Sequence, residues 1–164
     1  MEMNANAHEE PAWLHGHAHE PNPESPSPDA TLIVQKPDRG EVQVDVADLQ
    51  ALPATEVDNC WIVSTGHGTS GPFTFGGARL VDLLDSLLDA EATWHYATVI
   101  SADGFGTRIQ ANELRTASLR PILLAYAMDG ATLTRAQGLV RLIVPSETDD
   151  ALRQVKWVGR IEIY

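Results

Sequence analysis

From residue 31 onward the apolar positions recur mainly with a period of two, the signature of strands with one buried face. Val42, Val44 and Val46 alternate with Glu41, Gln43 and Asp45. Residues 31–35 are a β-rich run just before them, and Pro37-Asp38-Arg39-Gly40 is a turn, so the two runs read as a hairpin. Residues 47–52 read as one helical turn stopped by Pro53. Thr55, Val57, Asn59, Trp61 and Val63 again fall at period two, and residues 64–72, with Gly66, Gly68 and Gly71, read as a loop.

One segment has the helical period. Leu80, Leu83, Leu84, Leu87 and Leu88 form a single apolar stripe, with Asp82, Asp85 and Ser86 off it. Residues 96–101 read as a strand, Asp103-Gly104 as a turn, residues 112–116 as the start of a short helix and residues 123–128 as a strand ending at an Asp129-Gly130 turn. Residues 139–144 and 157–164 are β-rich. Strand signals dominate, helices are few and short, and no βα unit repeats. The predicted fold class is α+β, a mixed strand-rich domain.

Residues 1–28 are a different kind of sequence. They hold five of the 10 prolines and five glutamates, with no Lys or Arg, and only Trp13 and Leu14 are large apolar residues after the start. Such a stretch buries too little surface to offset its ordering entropy, so it is expected to be a disordered tail ahead of a single domain at 29–164. His8, His15, His17 and His19 lie in this tail. Imidazoles at that spacing can chelate a transition metal, but without a rigid scaffold the tail reads as solvated and as taking up metal only adventitiously. A metal-handling accessory role for the tail is the weakest of three functional readings.

The 164 residues suit one domain, and the net charge of -12 argues against nucleic acid or anionic lipid as partners, because both are bound largely through Lys and Arg. The single cysteine, Cys60, rules out an intrachain disulfide or an all-cysteine zinc site. No apolar run approaches the roughly 18 residues of a membrane span, and no signal-peptide pattern opens the chain, so a cytoplasmic protein is the expectation.

Ser64-Thr65-Gly66-His67-Gly68 invites a serine-nucleophile reading, but no glycine stands two residues before Ser64 and no helix follows. Gly66-x-Gly68-x-x-Gly71 matches the dinucleotide pattern by letter, yet Pro72-Phe73-Thr74-Phe75 after it is extended, and the pattern needs a helix N-terminus for the pyrophosphate.

The second half carries a more specific pattern. Leu124-Ala125-Tyr126, Met128-Asp129-Gly130, Leu133, Gly138, Arg141-Leu142, Val144-Pro145 and Val155-Lys156-Trp157 stand in the order and near the spacing of the molybdopterin-binding domain of the sulfite oxidase family. Gly77-Ala78-Arg79-Leu80-Val81-Asp82-Leu83-Leu84 resembles that family's helix start, and Ser101-Ala102-Asp103-Gly104-Phe105 its S-x-D-G-(F/Y) turn. The resemblance covers about residues 31–164. It implies the strand-rich fold of that family, molybdopterin as cofactor and a redox partner or small-molecule ligand. It also implies a pocket between the 64–72 loop, the Asp103-Gly104 turn and the segment from Arg141 to Lys156. The residues that would line this pocket are Ser64, Thr65, Gly66, His67, Asp103, Gly104, Arg141 and Lys156.

Family members hold molybdenum through the pterin dithiolene and one cysteine thiolate. Here that cysteine would fall near Ser64 or Thr65, and Cys60 lies four residues earlier, about 13 Å along a strand. Cys60 is thus either a realigned metal ligand or a buried structural thiol. Gln137-Gly138-Leu139-Val140 lacks the family's H-G-x-P, Arg108-Ile109-Gln110 replaces the common Ser-Ile-Pro, and Glu147, Asp149 and Asp150 stand where glycine would let the backbone approach the cofactor. The expectation is a degenerate site whose protein carries no stoichiometric molybdenum. Two further readings follow: an oxidoreductase acting on a small oxyanion or sulfoxide, or a non-catalytic descendant binding a small molecule or protein partner.

Overall fold

The computed structural model describes residues 31–64, 68–116, 118–145 and 154–164. The predicted tail at 1–28 lies outside these residues. In chain order the first elements are β1 (Leu32–Gln35), β2 (Glu41–Val44), α1 (Val46–Gln50), β3 (Ala54–Ser64) and β4 (Gly68–Arg79). Next come α2 (Leu80–Leu87), β5 (Tyr96–Ser101), β6 (Gly106–Gln110) and α3 (Ala111–Arg115). The last are β7 (Leu123–Met128), β8 (Ala131–Thr132), β9 (Arg141–Ile143) and β10 (Val158–Ile163).

The described strands form two sheets. One has the order β2-β1-β10-β5-β6, with β1 and β10 parallel and the other pairs antiparallel. The other has the order β3-β4-β7-β8, with β9 also pairing β7. The α+β, strand-rich class read from the sequence is the class observed. The larger core is built by Leu32, Val34, Val99 and Ile161 of the first sheet, Leu80 and Leu84 of α2, and Leu124 and Leu142 of the second sheet. A smaller cluster of Val57, Cys60, Phe75, Leu123, Ala125, Leu133 and Ile143 includes the alternate residues of β7 and β9. Strand β7 is therefore buried on both sides at its start, which is why it reads as a continuous apolar run rather than an alternating one.

The leucine stripe of α2 packs as expected: Leu80, Leu83 and Leu84 are buried, and Leu87 and Leu88 pack at the edge of the core. Three local expectations are corrected. Val46 opens α1 instead of extending β2, because Asp45 caps that helix. The Asp48 N–H donates to Asp45 Oδ1 at 2.9 Å and the Asp45 N–H to Asp48 Oδ2 at 3.0 Å. The period-two pattern of β3 breaks between Val57 and Cys60, where the register shifts and Asn59 adopts φ 55°. Val57 and Cys60 are both buried although three apart, and Trp61, expected on the Val57 face, is 44% exposed.

The third correction concerns residues 64–72. Gly68 to Pro72 belong to β4, which pairs Ser70 with Ile62 and Gly68 with Ser64, so residues 68–72 are strand rather than loop. Gly71 serves close approach: at φ 131° a Cβ there would lie 2.8 Å from the Cys60 carbonyl oxygen. Strand β6, unread in the sequence, closes the edge of the first sheet.

Candidate functional site

The centre of the site is a single antiparallel bridge between β9 and the residues before β10. Leu142 and Val155 form an antiparallel bridge, with the Leu142 N–H donating to Val155 O at 2.8 Å and the Val155 N–H to Leu142 O at 3.2 Å. The flanking residues then stand opposite each other: Arg141 faces Lys156, and Ile143 faces Gln154. Leu142 and Val155 point into the larger core, so Arg141, Lys156, Ile143 and Gln154 share the other face.

Several features hold this segment in shape. Gly138 has φ 114°, and a Cβ there would lie 2.9 Å from Arg141 Cγ and 3.4 Å from Lys156 Cβ, so glycine lets the chain pass against both basic side chains. The Trp157 N–H donates to Gly138 O at 3.0 Å, and the Trp157 indole Nε1–H to Arg135 O at 2.7 Å. Leu139 and Trp157 adopt φ 58° and 50°, a left-handed conformation that costs free energy in side-chain-bearing residues and that the surrounding bonds maintain. Arg141 is 6% exposed, donates from Nη1 to Gln137 O at 3.1 Å and lies 5.8 Å from the centre of the Phe75 ring.

The Asp103-Gly104 turn reaches the same place. The Ala102 N–H donates to Trp157 O at 2.8 Å, and Asp103 bends the turn by accepting from the Phe105 N–H at 3.1 Å. Burial, and next the Arg141 charge, push Lys156 below the ordinary lysine range, while Asp103 pulls it back up. A cleft of about 360 Å³ opens beside the turn, lined by Ser101, Ala102, Leu139, Val140, Trp157 and Gly159 among others. A larger groove, about 610 Å³, lies between α2 and α3, but there Arg79 pairs with Asp82 within one turn at the start of α2 and Arg115 of α3 pairs with Asp85 of α2.

Of the residues expected to line one pocket, Arg141 and Lys156 come together against Gly138, and the Asp103 charge acts on Lys156 from the neighbouring turn that also holds Gly104. Ser64 is elsewhere: it pairs with Gly68, nine residues along β4 from Gly77, which is level with Ala125 and Arg141. That is about 30 Å of strand. Thr65, Gly66, His67 and the acidic residues Glu147, Asp149 and Asp150 lie outside the described residues. Cys60 pairs with Phe73, three strands across and four residues along from Arg141, which puts the two roughly 20 Å apart at Cα. Its thiol is buried, donating toward Val57 O at 3.5 Å with Arg120 Nη2 3.9 Å away.

Gln154 went unread in the sequence. Only its alternation with Lys156 hints at a shared face, and its burial depends on how the second sheet closes.

The chain matches the oxidoreductase molybdopterin-binding domain family over residues 19–164, and it belongs to that family. Among solved structures it is similar to the sulfane dehydrogenase SoxCD from Paracoccus pantotrophus, with a TM-score of 0.62 and 20% sequence identity. The match covers 90% of this chain and 40% of that one, so this chain spans less than half of its length, and the likeness is one of fold. No curated protein sequence matches.

The residues present fit one part of a molybdopterin and not another. Two cations facing each other on a partly buried strand pair, with backbone held close by Gly138, suit the pterin's phosphate. The thiolate that the metal takes in this family has no counterpart beside them: the chain's one cysteine lies across the sheet with its thiol in an apolar cluster. Among the described residues no group of three or more His, Cys, Asp or Glu could hold a metal ion.

Proposed function

We propose that this domain binds a phosphate-bearing pterin of the molybdopterin type at Arg141 and Lys156 without a cysteine–molybdenum bond. The reading is carried by the cross-strand placement of Arg141 opposite Lys156. Like charges directly opposite one another repel, and a bridging anion turns that repulsion into two charge-assisted contacts. The Asp103 carboxylate beside Lys156 limits the net positive charge, so the site favours a ligand that also makes neutral contacts.

The test is made on protein purified from a molybdopterin-competent host, by elemental analysis together with extraction of the fluorescent oxidised pterin. The expected result is no stoichiometric molybdenum, with pterin retention weakened by both Arg141→Ala and Lys156→Ala and unaffected by Cys60→Ser. The family's description as oxidoreductases supports a second reading, an enzyme acting on a small oxyanion or sulfoxide with a redox partner. Near-equimolar molybdenum that disappears in Cys60→Ser would establish that reading in place of the first.

A further inference from the structure

We propose that Gln154 selects the ligand by pairing its carboxamide with the adjacent N–H and C=O of a cyclic amide, such as the lactam edge of a pterin ring. The proposal rests on the anion site at Arg141 and Lys156 and adds a second point of recognition to it.

Gln154 is 8% exposed, and among the described residues neither its Nε2 nor its Oε1 has a hydrogen-bond partner. A buried carboxamide with both functions unmet is costly, because it gave up water for nothing in return. An apolar residue of similar size would serve the fold better. The placement gives the carboxamide a use. Gln154 stands opposite Ile143 and two residues from Lys156 on the same face, about 6.6 Å away along the strand.

A primary carboxamide offers one acceptor and one donor side by side in a plane. Its complement is a group with donor and acceptor fixed side by side in one plane, which a cyclic amide provides and an acceptor-only phosphate dianion does not. With the phosphate at Lys156 and Arg141, the pair of contacts reads both ends of a ligand that carries a lactam ring and an anion. Both amide atoms are buried, so ligand entry has to open a path to them.

The probes are neopterin monophosphate, which has both features, and ribose 5-phosphate, which has the anion but no lactam. Binding of each to the full chain is measured by calorimetry. Wild type is expected to prefer neopterin monophosphate by about tenfold or more, one hydrogen-bonding contact to a buried partner. Gln154→Leu should abolish that preference, leave ribose 5-phosphate binding unchanged and raise the thermal midpoint of the free protein. Gln154→Met, with an unbranched side chain, repeats the test should the leucine pack badly. A preference for neopterin monophosphate that survives in either folded variant overturns the proposal. Arg141→Ala and Lys156→Ala should weaken both probes; if they weaken neither, the anion site itself is wrong. No binding of either probe to wild type overturns both readings.

Discussion

Arg141 and Lys156 stand opposite each other across the Leu142–Val155 bridge, two cations facing one another on a partly buried face. Burial and then the Arg141 charge hold Lys156 below the ordinary lysine range. Below its folded pKa the lysine is charged in both states, and the fold bears the full cost of that charge. Between the lowered folded value and the unfolded value of about 10.4, the unfolded chain binds more protons, so stability rises with pH. Wild type should therefore gain stability relative to Lys156→Met as pH rises through that window, read by urea unfolding at a series of pH values. Saturating neopterin monophosphate should remove the trend, because a bound anion favours the charged lysine. A pH-independent difference in the free protein would show that Arg141 and burial do not act on Lys156.

The leucine stripe of α2 is expected to dominate stability. Leu84 is fully buried between the helix and the sheets, so Leu84→Ala should cost about 2–5 kcal/mol through lost burial and a residual cavity. Leu84→Asp should prevent folding, since an unpaired charge there has no partner. A cooperatively folded, soluble Leu84→Asp protein would remove α2 from the core.

Two adjacent glycines should behave oppositely. A Cβ on Gly77 would collide with the Leu124 carbonyl oxygen and lie 2.7 Å from the Ala125 Cα, where β4 and β7 touch through backbone. On Gly76 the nearest contact is Glu56 Cγ at 3.6 Å, an ordinary distance. Gly77→Ala is expected to lose at least about 2 kcal/mol, and Gly76→Ala to stay within about 0.5 kcal/mol of wild type. Chemical denaturation of the two variants settles the β4–β7 register, since a shift of one residue would exchange their behaviour.

Cys60→Ser should cost about 1 kcal/mol, because the thiol sits in an apolar cluster and a hydroxyl is less readily buried. Binding of neopterin monophosphate should not change. A large loss of affinity with the fold intact, judged by the thermal midpoint, would bring Cys60 back into the site.

A chain that starts at Asp29 should keep the thermal midpoint of the full protein within a few degrees. The motive is the composition of residues 1–28, rich in proline and glutamate and nearly without apolar side chains. A larger drop would mean that Trp13 and Leu14 pack on the domain.

Much of the architecture was legible because it depends on short-range periodicity. The leucines of α2 and the strands at 96–101 and 123–128 sit where the pattern of residues puts them. The motif order from Leu124 to Trp157 named the family, and the family model matches nearly the whole chain. Where the reading failed, a bond to a distant or unexpected partner intervened. The bulge at Asn59 moved Trp61 to the surface, and the pairing of Gly68–Pro72 with β3 turned an expected loop into strand.

The sequence by itself determined the class of fold, the basic residues Arg141 and Lys156 and the solitary cysteine, since each is a matter of identity and local pattern. Only the tertiary structure decided which of them meet. Fifteen positions separate Arg141 from Lys156 in the chain, yet one bridge places them face to face. Cys60 and Ser64, nearer to the glycines that drew attention to them, are carried away along a hairpin. Strand register sets both outcomes: it is fixed by hydrogen bonds between segments and by which face each buries, and no single segment contains that information.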